Sequence, residues 1–124
     1  MNEFQKDYLL KRQDYGVLYP YVMEETVTDI HWNGRQLWID DLEKGRYMAP
    51  EVLSESFANR FSMLLSNLSN KAFNRDNPVM EVETEELRVC LVHPSVAYSG
   101  LSISLKKTCR APAEKRGYDR KWLL

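Results

Sequence analysis

Residues 27–40 constrain this chain more than any other stretch. Two runs of strand-forming residues, VTDIHW at 27–32 and QLWID at 36–40, flank Asn33-Gly34, a dipeptide that readily adopts the positive φ of a tight hairpin turn. The sequence Leu42-Glu43-Lys44-Gly45 reads as the next turn and residues 46–48 as a short third strand. Whatever else the chain contains has to be compatible with a sheet built outward from this hairpin.

Pro50 is expected to open the longest helix, over residues 50–68, because proline is tolerated in a first turn and Glu51 and Glu55 suit the positive end of the helix dipole. Val52, Leu53, Phe57, Phe61, Leu64, Leu65 and Leu68 recur at intervals of three and four and form one apolar stripe. The segment 67–70, with Asn67, Ser69 and Asn70, stops it. After Asn77-Pro78 the pattern returns to strands at 79–83, 87–93 and 101–107, with Glu85-Glu86 as the turn between the first two. Ahead of the hairpin, Phe4, Tyr8 and Leu9 with Lys11 and Arg12 are spaced for a short amphipathic helix over residues 2–13, which Gly16 ends. Tyr15, Leu18, Tyr19, Tyr21, Val22 and Met23 gather around Pro20 and read as a lid or partner surface. The simplest architecture that buries both apolar surfaces is α+β: an antiparallel sheet of about five or six strands with one long helix packed on a face, plus a short N-terminal helix. The sections are a helical and aromatic segment, 1–26; an α+β domain, 27–107; and a basic tail or linker, 108–124.

A length of 124 residues fits one domain. The content of 44% hydrophobic and 28% charged residues is ordinary for a soluble globular protein. The longest apolar stretches, such as residues 62–68, are broken by Ser and Asn, and Glu3, Lys6 and Asp7 stand where a signal peptide would be apolar. A cytoplasmic location is the expectation. Cys90 and Cys109 make no disulfide framework and suit a reducing compartment. The net charge of -1 hides an asymmetry: residues 1–105 carry ten Lys and Arg against sixteen Asp and Glu, whereas residues 106–124 carry seven against two. A basic tail can bind nucleic acid or anionic lipid, and linkers and solvated surfaces are commonly basic too.

Three fragments, VTDIHWNG at 27–34, LRVCLVHP at 87–94 and GLSISLKK at 100–107, together resemble the N-terminal domain that precedes the motor in the type II/IV secretion-system ATPases, the family of conjugation, Tad-type pilus assembly and type IV secretion. That domain opens on a Thr-Asp/Glu-Ile strand, an Asn-Gly turn and a Val-Trp-Val/Ile return, matched by Thr28-Asp29-Ile30, Asn33-Gly34 and Leu37-Trp38-Ile39. It continues through a helix, an Asn-Pro step and an acidic strand, matched by Asn77-Pro78 and Glu81, to an Arg-Val strand ending near a proline, matched by Arg88-Val89 and Pro94. It closes on Gly-x-Ser-Ile-Ser/Thr-Ile-Arg, matched by residues 100–106, and the match covers residues 27–107. The resemblance implies a PAS-like domain that forms one tier of a hexameric ring, caps the nucleotide site and contacts its own motor domain, neighbouring subunits and inner-membrane secretion components. It implies a place in the cytoplasm, peripheral at the inner face of the membrane. It also implies that Arg88 and Lys106 reach toward nucleotide phosphates, with ATP and magnesium as cofactors of the parent ATPase and none in this chain. Two departures stand out: Lys106 where the family carries arginine, which supplies charge without the bidentate fork, and Glu85-Glu86 where it carries glycine. Solvated strand residues pairing with Glu81 or Glu83 are the plainer reading of both cations.

Other constellations point to no catalytic or metal site. His31, His93, Cys90 and Cys109 are zinc-ligand types, yet Cys90 and His93 lie three apart in one strand and point to opposite faces. Glu81 and Glu83 share a solvated face, as strand alternation requires, and Asp40-Asp41-Glu43 lacks the ligand ladder of a calcium loop. Trp32, Trp38 and Tyr47 are the residues for a stacking platform, or for packing in a small sheet.

Two further classes of function stay open beside the ring domain: a stand-alone α+β sensor-like module holding a small ligand or protein partner, and a basic-tailed nucleic-acid binder, which a steep salt dependence of binding identifies. ATP hydrolysis in the family requires a glycine-rich loop ending in Gly-Lys-Ser/Thr, whose backbone N–H groups cradle phosphate; none of the 124 residues spells it. The purified chain is therefore expected to show neither ATP turnover nor tight nucleotide binding. Micromolar ATP affinity by calorimetry that survives metal removal and Arg88→Ala contradicts this reading.

Overall fold

The computed structural model describes residues 12–83, 87–97 and 100–107. Six strands, β1 (Val27–Trp32), β2 (Leu37–Asp41), β3 (Gly45–Ala49), β4 (Val79–Glu83), β5 (Leu87–Val92) and β6 (Ser102–Lys107), pair antiparallel in the order β3-β2-β1-β6-β5-β4. Two meanders, β1-β2-β3 and β4-β5-β6, are thus sewn together by the β1–β6 pair.

The hairpin expected at Asn33-Gly34 forms, with a different turn. Trp32 pairs with Leu37, so the loop has four residues and β2 starts one residue later than the pattern at 36–40 suggests. The Asn33 side chain explains the length. Its Oδ1 accepts hydrogen bonds from the backbone N–H of Arg35 (2.9 Å) and Gln36 (2.7 Å), while Gly34 alone in this loop takes a positive φ, +96°.

A register shift between Val27 and Asp29 makes Thr28 an extra residue on β1. Its consequence is that Val27 and Ile30, three apart, are both buried. Pairing then lines up two inward rows across the sheet: Val82, Val89, Leu105, Ile30, Ile39 and Tyr47, and Met80, Leu91, Ile103, Trp32, Leu37 and Ala49. Every member is buried except Tyr47, which packs against the rest.

The long helix, α3 below, is shorter than expected. It spans Glu55–Ser69, 15 residues, and not 50–68. Capping overrides the proline signal: Ser54 adopts an extended conformation and its Oγ accepts the Phe57 N–H at 3.0 Å, supplying one of the orphan donors of a helix start. Val52 is consequently outside the helix and exposed, although Leu53 still reaches the core. At the other end Asn70 turns into the left-handed region and Lys71 N–H closes on the Ser66 carbonyl at 3.1 Å. Phe61 and Leu65 are fully buried in the cluster that includes Ile30, Trp32, Val89 and Leu91, with Phe57 packed against it, but the expected stripe is only partly covered: Leu64 is half-buried and Leu68 exposed, because the last turn of the helix runs past the core.

Most of the expected helix at 2–13, the turn at Glu85-Glu86 and the tail at 108–124 lie outside the described residues. The chain is helical in short pieces over α1 (Arg12–Tyr15), a 3-10 turn (Gly16–Leu18) and α2 (Tyr19–Met23), with Pro20 in the first turn of α2 where its missing N–H costs nothing. The aromatic stretch is part of the core: Tyr15 and Leu18 are buried in it, and Tyr19, Tyr21 and Val22 pack against it. Gly16 permits this. It has a φ of +56°, and a Cβ there would sit 2.8 Å from the Phe57 ring. Tyr21 adds a polar tie by donating its hydroxyl to Glu51 Oε1 at 2.6 Å, and burial together with that carboxylate raises its pKa well above the ordinary tyrosine value.

Asp41, at the end of β2, is the one buried carboxylate among the described residues. Burial pushes its pKa up, but the N–H groups of Glu43 (2.7 Å) and Lys44 (3.1 Å), the Thr26 hydroxyl (3.2 Å) and the Lys44 charge outweigh that and hold it below the usual value.

Two outcomes follow. Phe61→Ala is expected to cost about 3–5 kcal/mol in denaturant unfolding, and a cost under about 1 kcal/mol removes Phe61 from the core. Because the native pKa of Asp41 is depressed, its contribution is present above the unfolded value of about 4 and is lost as pH falls through the native one. Asp41→Asn should therefore flatten the acid limb of melting temperature against pH; an acid limb parallel to that of the wild type contradicts the role given to this carboxylate.

Candidate functional site

Strand alternation that sends two rows into the core sends two others to the opposite face of the sheet. One outward row is charged in all six strands. Read from β4 to β3 it runs Glu83, Arg88, Lys106, Asp29, Asp40, Arg46, each the Cα partner of the next. Arg88 and Lys106, the two positions singled out in sequence, stand side by side on β5 and β6. Each holds a carboxylate on its outer side: Arg88 Nη2 lies 3.3 Å from Glu83 Oε2, and Lys106 Nζ lies 3.9 Å from Asp29 Oδ2. Both cations are more than half exposed, 53% and 66%. The Arg88–Glu83 pair is exposed on both sides, and exposed pairs contribute under about 1 kcal/mol, so Arg88 can exchange its partner for a stronger anion.

The second outward row is mixed: Glu81, Cys90, Ser104, His31, Trp38 and Met48. His31 sits at its centre. Its Nδ1 is 3.3 Å from Ser104 Oγ and its Nε2 is 3.6 Å from Asp40 Oδ2. Asp29, His31 and Asp40 are the one set of three metal-ligating side chains among the described residues whose donor atoms all lie within 4.8 Å of one another. Burial, and then the nearby Glu81 charge, pushes the Cys90 thiol up, which makes it a poor nucleophile.

Among the described residues, the zinc-type residues read from sequence other than His31 do not join this set. His93 follows the end of β5, with the Phe73 ring edge-on and Nδ1 2.9 Å from Ser95 Oγ; Cys109 lies outside the described residues. Glu81 and Glu83 are exposed on one face, as alternation predicts. Asp40 and Asp41 part company: Asp40 joins the open face while Asp41 turns inward and is spent on the turn. The aromatic trio separates too, with Trp32 and Tyr47 in inward rows and Trp38 outward, where the Arg46 guanidinium lies 5.8 Å from its ring centroid. Sequence reading missed the grouping of Asp29, His31 and Asp40. The signal was present: two residues spaced by two on β1, and a hairpin that returns an aspartate beside them.

Two shallow, open depressions of the described surface both lie away from the helix–sheet interior. One, of about 510 Å³, lies on the outer side of α3 along Asn59, Arg60, Met63 and Asn67; the other is beside Gly16 and Tyr19. Among the described residues no helix is long and apolar enough to cross a membrane.

Comparison with family models and with curated proteins finds no match. Among solved structures, the chain is similar to the crystal structure of the VirB11 ATPase from the Brucella suis type IV secretion system in complex with sulphate, with a TM-score of 0.68 and 13% sequence identity. The likeness covers 95% of this chain and 35% of that one. At this identity it is a likeness of fold, shared with about a third of a secretion ATPase.

Proposed function

We propose that the chain is the N-terminal regulatory and oligomerisation domain of a type II/IV secretion or conjugation ATPase. In this reading it forms a ring tier in the cytoplasm at the inner face of the membrane, caps the nucleotide site of its own motor domain and contacts neighbouring subunits and inner-membrane assembly partners. The observation that carries the reading is the agreement of two independent lines. The order of short motifs over residues 27–107 points to this family, and the fold is similar to that of a type IV secretion ATPase over 95% of the chain.

Arg88 and Lys106 are the phosphate contacts in this proposal. Their adjacency on β5 and β6 concentrates positive charge on the open face. The acidic partners that flank them on both sides keep the pair neutralised until a more highly charged anion arrives. ATP and magnesium belong to the motor, and the domain contributes charge and position. A sensor-like module that holds a ligand between helix and sheet is less well supported, because that space is filled by Phe61, Leu65, Ile30, Val89 and Leu91.

Removing the Arg88 charge in the proposed full-length ATPase is expected to lower ATP turnover and leave the melting temperature of the isolated domain nearly unchanged, since an exposed strand residue contributes little to stability. Lys106→Ala should have the smaller effect, because lysine offers one hydrated point charge where arginine holds two phosphate oxygens. Wild-type turnover in Arg88→Ala leaves that residue a surface ion pair with Glu83 and removes the phosphate-contact assignment.

A further inference from the structure

We propose that Asp29, His31 and Asp40 form a binding site for a transition-metal dication of borderline hardness, of the Zn2+ class, at the centre of the open sheet face. The inference does not rest on the ring-domain reading. Alternation along β1 puts Asp29 and His31 on one face two residues apart, and β2 brings Asp40 opposite Asp29 as its Cα partner. The site is therefore held by three paired strands, β2, β1 and β6, and by no loop.

Donor spacing fits an ion. An imidazole nitrogen and carboxylate oxygens bind Zn2+ at about 2.0–2.2 Å, which leaves neighbouring donors about 3–4 Å apart around it. His31 Nε2 and Asp40 Oδ2 are 3.6 Å apart, too far for a good hydrogen bond and within that span, and the Asp29 carboxylate completes a set with all donor atoms within 4.8 Å.

Each ligand also has an outer partner of the kind that orients metal ligands. Ser104 Oγ, 3.3 Å from His31 Nδ1, can accept its proton and so leave the Nε2 lone pair directed at the ion. Arg46 Nε, 3.6 Å from Asp40 Oδ1, leaves Oδ2 of that carboxylate for the metal. Lys106 Nζ lies 3.9 Å from Asp29 Oδ2. These two cations also reduce the negative potential of the site, so a hard ion attracted by charge alone gains little, whereas an ion that bonds imidazole gains a ligand. One nitrogen and two oxygens are too few and too mixed for Ca2+, which takes six to eight oxygens. The three side chains are 19% to 33% exposed, which admits the ion and leaves its remaining positions to water.

Calorimetric titration of the untagged chain with zinc chloride is the test. One equivalent should bind, Mg2+ and Ca2+ should give no comparable heat, and Cys90→Ser should bind as the wild type does. His31→Ala and Asp40→Asn should each weaken binding at least about tenfold with metal-free melting temperatures unchanged, and Ser104→Ala by about tenfold through loss of the orienting contact. If His31→Ala alters the fold, Asp40→Asn and Ser104→Ala decide in its place. Absence of zinc binding to the wild type overturns the proposal, and so does undiminished binding in the variants, which moves the ion to other ligands such as His93 or Cys109.

Discussion

The structure depends on the burial of a single face of the sheet. Antiparallel strands with alternating side chains are stable in water only when the apolar side is covered, and here two covers share the task. The helix α3 lies against the β4 side and α2 against β1. Gly16 lets the N-terminal segment approach the Phe57 ring so that the two covers meet. Phe61, Leu65 and Leu18, fully buried beneath them, are what the strands pack against.

Register inherits its importance from that burial. A slip of one residue in any strand would carry its inward set to solvent, and the extra residue at Thr28 shows how closely the chain observes this condition. Without it Val27 would face outward and Asp41, its partner, would lose the setting in which it caps the β2–β3 turn. The bulge and the buried carboxylate belong together: the first aligns the end of the hairpin, the second satisfies the turn that the alignment creates.

The open face is the complement of the same arithmetic. Because the inward rows are apolar throughout, the chemistry of the chain collects outward, and pairing sorts it by strand. The β5–β6 half presents Arg88 beside Lys106 and suits an anion. The β1–β2 half presents Asp29, His31 and Asp40 and suits a cation. Lys106 and Asp29, Cα partners at the β6–β1 seam, are the boundary between them.

Much of the fold was legible in the sequence because it is written in local periodicity. The hairpin around Gly34, the apolar stripe through Phe57, Phe61 and Leu65, and the strand at 79–83 follow from alternation and spacing alone, and the motif order carried the likeness to secretion ATPases. What local signals compete over was less legible. Pro50 and Ser54 both propose a helix start, and only the capping geometry decides between them; an Asn side chain lengthened a turn that the dipeptide left short. The tertiary structure alone decided what strand pairing controls. The β1–β6 seam brings Ser104 to His31 across 73 positions of chain and sets Lys106 between Arg88 and Asp29. The β1–β2 register, with Trp32 opposite Leu37, sends Trp32 and Trp38 to opposite faces. Alternation determines that a residue faces in or out, but which outward residues become neighbours depends on strand order and register, and these are fixed by burying the other face.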